Sequence, residues 1–238
     1  MGKNGMKSKV VLAVGAHPDD IEFGASGTIA KWAQEGAECY YLICTDGSRG
    51  STDPKMTHKR LVQVRRKEQE GAAKILGLKK VYFLDYTDTL LTADYALRRD
   101  IAKIIKIIKP DIVVTMDPTF YYSEQFNFIN HTDHRAAALA TMDACYPLAR
   151  DRLTFPEHEK EGLTPHRVEE IWFIGFDKTN LLIDITDTFV KKIEAITMHK
   201  SQFENMEHVI KRVEERARYF GITKGCKYAE NFVRVELF

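Results

Sequence analysis

Along the first half of the chain, short runs of β-branched and aromatic residues alternate with stretches whose apolar positions recur every three or four residues. The runs KVVLAVGA, ECYYLICT, KVYFLDY, DIVVTMDP, EEIWFIGF and NLLIDIT read as strands. Residues 26–35, 57–76 and 94–108 fall between the first four and carry helical spacing, and two of these stretches close on glycine (EGAE, ILGLKK) as a helix C-cap does. The resulting βαβαβα order predicts an α/β, Rossmann-like fold. Its sheet is expected to be mostly parallel with helices on both faces, because parallel neighbours need a crossover and the crossover packs as a helix. Ligands in such sheets bind beyond the carboxyl ends of the strands. The residues just after each strand are therefore the first candidates: His17 to Asp20 after the first, Asp117 after the fourth.

Two stretches depart from the alternation. Residues 118–130 (PTFYYSEQFNFIN) form a polar and aromatic loop, long enough to suggest a functional segment. Residues 187–220 read as charged helix. No linker composition, repeat or low-complexity tract divides the chain, so residues 1–238 are expected to form a single domain.

Composition narrows the function more than the fold. Hydrophobic residues make up 44% and charged residues 29%, an ordinary globular mixture. With 35 basic and 34 acidic residues the formal charge is +1, so no global field favours nucleic acid or an anionic membrane. A neutral or zwitterionic small molecule suits this balance better. No apolar run approaches the ~20 residues that span a bilayer, and the start MGKNGMKSKVVLAVGA lacks a cleavage site, so a soluble cytoplasmic protein is expected, with Met6 as its natural start. Cys39, Cys44, Cys145 and Cys226 show no metal-binding spacing and read as buried thiols in a reducing compartment.

Two segments carry metal chemistry. In Ala16-His17-Pro18-Asp19-Asp20-Ile21-Glu22, His17 and one carboxylate can converge on an ion across a turn that Pro18 stiffens. Adjacent side chains diverge, so only one of Asp19 and Asp20 need be a ligand, and the other is left for proton transfer. In Asn130-His131-Thr132-Asp133-His134-Arg135, His131 and His134 share a helical face. If His134 completes the shell, His131 sits beside the metal's water, and Asp133 can receive the second N–H of a ligating histidine.

The AHPDDIE segment at 16–22 and HTDH at 131–134 resemble the signatures of the LmbE/PIG-L-like N-deacetylases. The likeness extends to the T-D-G-x-x-G stretch from Thr45 to Gly50, to R-K-E followed by A-A-x-x-L-G from Arg66 to Gly77, and to Pro165-His166-Arg167. Asn130 and Thr132 depart from a basic residue and a proline that are frequent in the family. The resemblance implies a zinc-dependent hydrolase that removes acetyl from an N-acetylglucosamine-type conjugate, with one Zn2+ per chain held by His17, Asp20 and His134. It implies Asp19 as general base, a protonated His131 stabilising the tetrahedral intermediate, Asp133 tuning it, and Arg66 on the substrate. A homo-oligomer, trimeric or hexameric, is implied as well.

Asp46, Ser48 and Arg49 follow the second strand and are further substrate candidates, and Tyr121, Tyr122 and Phe126 are candidates to line a sugar site. His58, His158, His199 and His208 have no partner at ligand spacing and read as surface or packing residues. Two rival functions are a phosphoesterase with the Asp pair on Mg2+ and a non-enzymatic nucleotide-binding module. Paired histidines disfavour the first, and the charged GAHPDD turn, in place of G-x-G-x-x-G, disfavours the second.

Overall fold

The computed structural model describes residues 8–124, 127–176 and 178–238; Met6 and Phe126, singled out above, lie outside them. In chain order the elements begin with β1 (Val10–Gly15), α1 (Asp20–Gly24), α2 (Ser26–Gln34), β2 (Glu38–Thr45), α3 (His58–Leu76), β3 (Lys80–Tyr86), α4 (Tyr95–Ile108) and β4 (Ile112–Met116). They continue with β5 (Tyr122–Ser123), β6 (Phe128–Ile129), α5 (Thr132–Asp143), α6 (Pro156–Lys160), β7 (Glu170–Ile174), β8 (Leu181–Asp184), α7 (Phe189–Ile196), α8 (Met206–Lys224) and β9 (Ala229–Glu236).

Seven strands form one sheet in the order β3-β2-β1-β4-β7-β9-β8. From β3 to β7 every neighbouring pair is parallel, as the alternation predicts. Both faces of β1 are covered: Val11 and Ala13 pack with Ile29 of α2 and Leu76 of α3, while Leu12 and Val14 pack with Ile101 of α4 and Ala137 of α5. Fully burying such a side chain contributes about 1.5–3 kcal/mol. Local chemistry sets the helix ends. Thr57 accepts the Arg60 N–H at 3.2 Å and Asp94 the Leu97 N–H at 3.0 Å, and Gly77 closes α3 in the left-handed region at φ 81°.

The carboxyl-terminal end differs from expectation. Strand β9 was not foreseen, and it runs antiparallel to both β7 and β8. The expected single helix over 187–220 is two, α7 and α8, with an irregular stretch between them. Residues 118–130 hold a short hairpin, β5 with β6.

Strand order reverses at β1, because the chain winds to β2 on one side and to β4 on the other. That reversal opens a crevice above the carboxyl end of β1. Helix α5 begins over the same crevice, and so the two sequence segments with metal chemistry meet there.

Candidate metal and active site

Each histidine in the crevice has its tautomer set by a partner that can play only one hydrogen-bonding role. At His17, Nε2 lies 3.2 Å from Asp133 Oδ2 and 3.2 Å from Asp88 Oδ1. Carboxylates accept, so Nε2 carries the proton and Nδ1 keeps its lone pair, 3.6 Å from Asp20 Oδ2. At His134, Nδ1 faces Asn130 Oδ1 at 2.9 Å, and the Asn130 amide is fixed in that sense because its Nδ2 donates to the Phe120 carbonyl at 2.8 Å. The free Nε2 lone pair of His134 therefore faces Asp20 Oδ1 at 3.0 Å. His131 Nδ1 accepts the Asp133 backbone N–H at 3.1 Å, which places the proton of the neutral ring on Nε2. Asp20 is itself held, its Oδ2 accepting the backbone N–H groups of Ala16 and His17, both at 2.8 Å.

Two imidazole lone pairs and a carboxylate thus converge with no hydrogen between them. Such a set is stable only if the rings take up extra protons or a cation lies among them. Left to protein charges alone, the first would prevail: burial lowers the His17 pKa, but Asp20, Asp133 and Asp88 outweigh it and push it up to about 12. Burial raises the Asp20 carboxyl, but His134 and His17 hold it well below the usual range. Nitrogen and carboxylate donors in this proportion fit a zinc-like ion. Among the described residues, two groupings bring their donor atoms within 4.8 Å of one another, His17 with His131 and His134, and His17 with Asp88 and Asp133. The second needs no ion, because the His17 Nε2–H already lies between its carboxylates.

Asp19 sits beside this cluster in a strained backbone, φ 98° and ψ −25°. A non-glycine residue there costs of order 1–3 kcal/mol and persists only where its surroundings enforce it. The enforcing group is Gln69 of α3, whose Oε1 accepts the Asp19 N–H at 3.0 Å while its Nε2 donates to Glu22 Oε1 at 2.7 Å. Glu22 can only accept, so it turns the Gln69 amide the right way round. Arg65 Nη2 donates to the Pro18 carbonyl at 2.8 Å and lies 3.6 Å from Asp19 Oδ1. Gly47, at φ 61°, lets Arg65 pass: a Cβ there would lie 3.1 Å from Pro18 and 3.2 Å from Arg65. Burial raises the Asp19 carboxyl to about 6, with Arg65 pulling it down and Asp20 pushing it up.

All of this opens into one cavity of about 1040 Å³ lined by His17, Asp19, Asp20, His131 and His134. Other expectations fare differently. Arg66 is corrected: it lies outside the cavity, pairing with Asp85 and covering the Phe83 ring at 4.3 Å. Arg65, one residue earlier on the helix, lines the cavity instead. Arg49 also lines it, with Nε donating to the Asp88 carbonyl at 3.0 Å. Asp46 does not; its Oδ1 accepts the N–H groups of Ser48 (3.0 Å) and Asp88 (3.2 Å), so it shapes the loop that carries Asp88. Asp133 is fully buried against His17, with Oδ1 4.0 Å from His131 Nδ1, and its Oδ2 accepts the Thr89 N–H at 2.7 Å. Tyr121 and Tyr122 border a separate hollow of about 190 Å³.

Asp88, Gln69, Glu22 and Asn130 are the functional partners the sequence reading missed. Glu22 ends the AHPDDIE segment and Asn130 precedes HTDH, but neither position signals a hydrogen-bonding role on its own. Asp88 and Gln69 carry no signal beyond being polar residues near a strand end or on a helix. His208 lies at the cavity and His199 is buried with Nε2 3.9 Å from Glu22 Oε1.

The model of the PIG-L family, described as GlcNAc-PI de-N-acetylase, matches residues 12–145. The diacetylchitobiose deacetylase of Thermococcus kodakarensis is 33% identical over 93% of this chain and 81% of its own length. A probable N-acetyl-α-D-glucosaminyl L-malate deacetylase 2 from Bacillus anthracis is 28% identical over 92% of this chain and 91% of its own. The solved N,N'-diacetylchitobiose deacetylase of Pyrococcus horikoshii superposes with a TM-score of 0.89, at 33% identity over 97% of this chain and 85% of that one.

Proposed function

The chain belongs to the PIG-L family, and we propose that it is a zinc-dependent N-deacetylase that hydrolyses the acetamide of an N-acetylglucosamine-type conjugate to acetate and free amine. The observation that carries this reading is the convergence of His17 Nδ1, His134 Nε2 and the Asp20 carboxylate with no hydrogen between them, directly beside Asp19. Held by those three residues, a zinc ion supplies Lewis acidity toward water and the amide carbonyl.

The chain's own groups do the rest. Asp19 takes a proton from the attacking water and returns it to the departing nitrogen. Its backbone is clamped by Gln69, so the carboxylate is positioned before substrate arrives. His131 donates from Nε2–H to the carbonyl oxygen as charge builds there. It acts as a neutral donor and not as the protonated ring expected from sequence, because a second proton on Nδ1 would break its bond from the Asp133 N–H and burial lowers its pKa. Asp88 and Asp133 keep the His17 Nε2–H engaged, leaving Nδ1 for the metal. Arg49 and Arg65 line the wall toward the sugar.

Assembly into three or six copies in the cytoplasm, with residues 1–238 as one domain, belongs to the same proposal. Exposed Tyr121, Tyr122 and Ile129 on the β5–β6 hairpin support a subunit contact. Among the described residues no helix is long and apolar enough to cross a membrane.

The deciding experiment measures acetate release from methyl N-acetylglucosaminide by the zinc-loaded chain and by its Asp19→Asn variant. The variant should keep its zinc while kcat falls by about 10²- to 10⁴-fold, the usual worth of a general base. Near-native turnover in the variant would overturn the assignment of Asp19.

A further inference from the structure

The cavity does not end at the reactive groups. Beyond Phe23 it continues between α8 and the β7–β9 end of the sheet, where Phe23, Phe128, Phe176, Phe203, Phe220 and Val213 line it. These rings pack on one another: Phe128 stacks on Phe176 at 5.7 Å and Phe23 meets Phe203 edge-on at 5.5 Å. At about 1040 Å³ the whole cavity stands at the upper end of the range for small-molecule sites, roughly 300–1,000 Å³.

One buried donor in this lobe lacks an acceptor, and one cation lacks a carboxylate partner among the described residues. Arg216 lies with its guanidinium 4.8 Å above Phe176 and 5.8 Å from Phe220. Its Nη2 donates to the Gly175 carbonyl and to Asn231 Oδ1, but among the described residues no carboxylate lies within ion-pair distance of the half-buried guanidinium. Burial lowers its pKa to about 10, with only the charge of Glu230 opposing. Glu230 is itself engaged by Lys192 at 2.7 Å and by the N–H groups of Gly27 and Thr28. Asn231, 3% exposed on the same wall, has a buried Nδ2 with no hydrogen-bond partner among the described residues. Leaving a buried donor such as the Asn231 Nδ2 unmatched costs about 1–3 kcal/mol.

We infer that this lobe is a subsite for the aglycone of the amino-sugar substrate, and that the aglycone is apolar, aryl or alkyl, with one anionic group that meets Arg216 and Asn231. The inference rests on the deacetylase reading in one respect. If the acyl group is acetyl, the carbonyl side of the substrate is a single methyl, so whatever else the cavity holds is attached through the amino sugar. A second sugar suits the lobe poorly. Its ring of hydroxyls would be buried against phenylalanines that offer no hydrogen bonds, and each unmatched hydroxyl is costly. An aromatic or alkyl group meets the Phe faces without that penalty, and a carboxylate accepts from the unmatched Asn231 Nδ2 while pairing with the Arg216 guanidinium.

The test compares kcat/KM of the zinc-loaded chain on the methyl, phenyl and 4-carboxyphenyl β-glycosides of N-acetylglucosamine and on N,N'-diacetylchitobiose. Phenyl should exceed methyl by about tenfold, and 4-carboxyphenyl should exceed phenyl by about tenfold again. In Arg216→Met the second ratio should collapse to about one while the first survives; in Phe203→Ala, which trims the lobe away from Arg216, the first should shrink. The substrate series on the native chain decides the matter even if a variant does not fold. Equal rates on all three glycosides, or a preference for the disaccharide over 4-carboxyphenyl, would overturn the inference. So would an Arg216→Met chain that alters sedimentation and not substrate preference, which would place a second copy in the lobe. No acetate from any glycoside would mean that the deacetylase reading itself has failed. Calorimetric binding of 4-carboxyphenyl glucosaminide against methyl glucosaminide then decides the lobe alone: tighter binding of the first supports it, and equal binding overturns it.

Discussion

The two ends of the one cavity are built on opposite principles. At the reactive end a chain of directional bonds fixes the reacting groups: Asp88 and Asp133 set His17, Asn130 sets His134, and Glu22 sets Gln69, which sets Asp19. At the far end the wall is phenylalanine, the buried Asn231 Nδ2 has no acceptor, and Arg216 has no carboxylate partner among the described residues. Directional bonds hold reacting groups to within fractions of an ångström, which rate depends on. Apolar contact is non-directional and scales with area, so it tunes affinity and tolerates variation in shape. Changes at the first end should appear in metal content and kcat, and changes at the second in KM.

The largest effect expected is from His134→Ala. It removes one of three lone-pair donors and strands the Asn130 carbonyl, so the purified variant should lose most of its zinc by elemental analysis and its acetate release should fall to background. A chelator applied to the native chain should have the same effect on activity, reversed by added zinc. Phe176→Ala, in the far wall, should keep its zinc. Equal metal loss in both variants would erase the distinction between the two ends.

These two ends also differed in how far they could be read from the sequence. The reactive end lies on the parallel half of the sheet, so AHPDD stands at a strand exit that the pattern marks, while HTDH is legible from two histidines three apart where a loop enters a helix. Partners from other elements were illegible. Gln69 sits near the middle of α3 and reaches Asp19 only because that helix packs over the β1 end, and Asp88 reaches His17 because Asp46 ties down its loop. The far wall depended on β9 and on the break between α7 and α8. Antiparallel pairing at a sheet end leaves no crossover helix to betray it, and two helices joined by a short irregular stretch read as one where charge is dense throughout.

A smaller effect sharpens the account of the reactive end. Gln69→Leu keeps the side-chain size while removing both hydrogen bonds, leaving the Asp19 N–H and Glu22 unmatched in a buried setting. Stability should fall by about 1–3 kcal/mol. The kcat should fall by about tenfold to a hundredfold, the range a displacement of about 1 Å commands, with zinc content unchanged. A variant that lost stability but kept native kcat would mean that Gln69 packs the core without positioning the base.

The smallest effect is expected at Arg66, whose neighbour Arg65 provides the control. Successive residues on a helix point about a quarter-turn apart, and that rotation carries Arg65 into the wall of the cavity while Arg66 goes out to Asp85 and Phe83. An exposed ion pair of this kind is worth about 0–1 kcal/mol and is screened by salt, and the stacking on Phe83 adds about 0.5–1 kcal/mol. Arg66→Ala should therefore lower the unfolding free energy by no more than about 1–2 kcal/mol, less at high salt, and leave kcat/KM within about twofold of native. Arg65→Ala should behave otherwise, because it frees the Pro18 carbonyl and removes the cation beside Asp19. Its kcat should drop well below that of Arg66→Ala at every pH. A large loss of kcat/KM from Arg66→Ala would return that side chain to the substrate, as the family resemblance implies, and would mean that α3 turns on its axis when substrate binds.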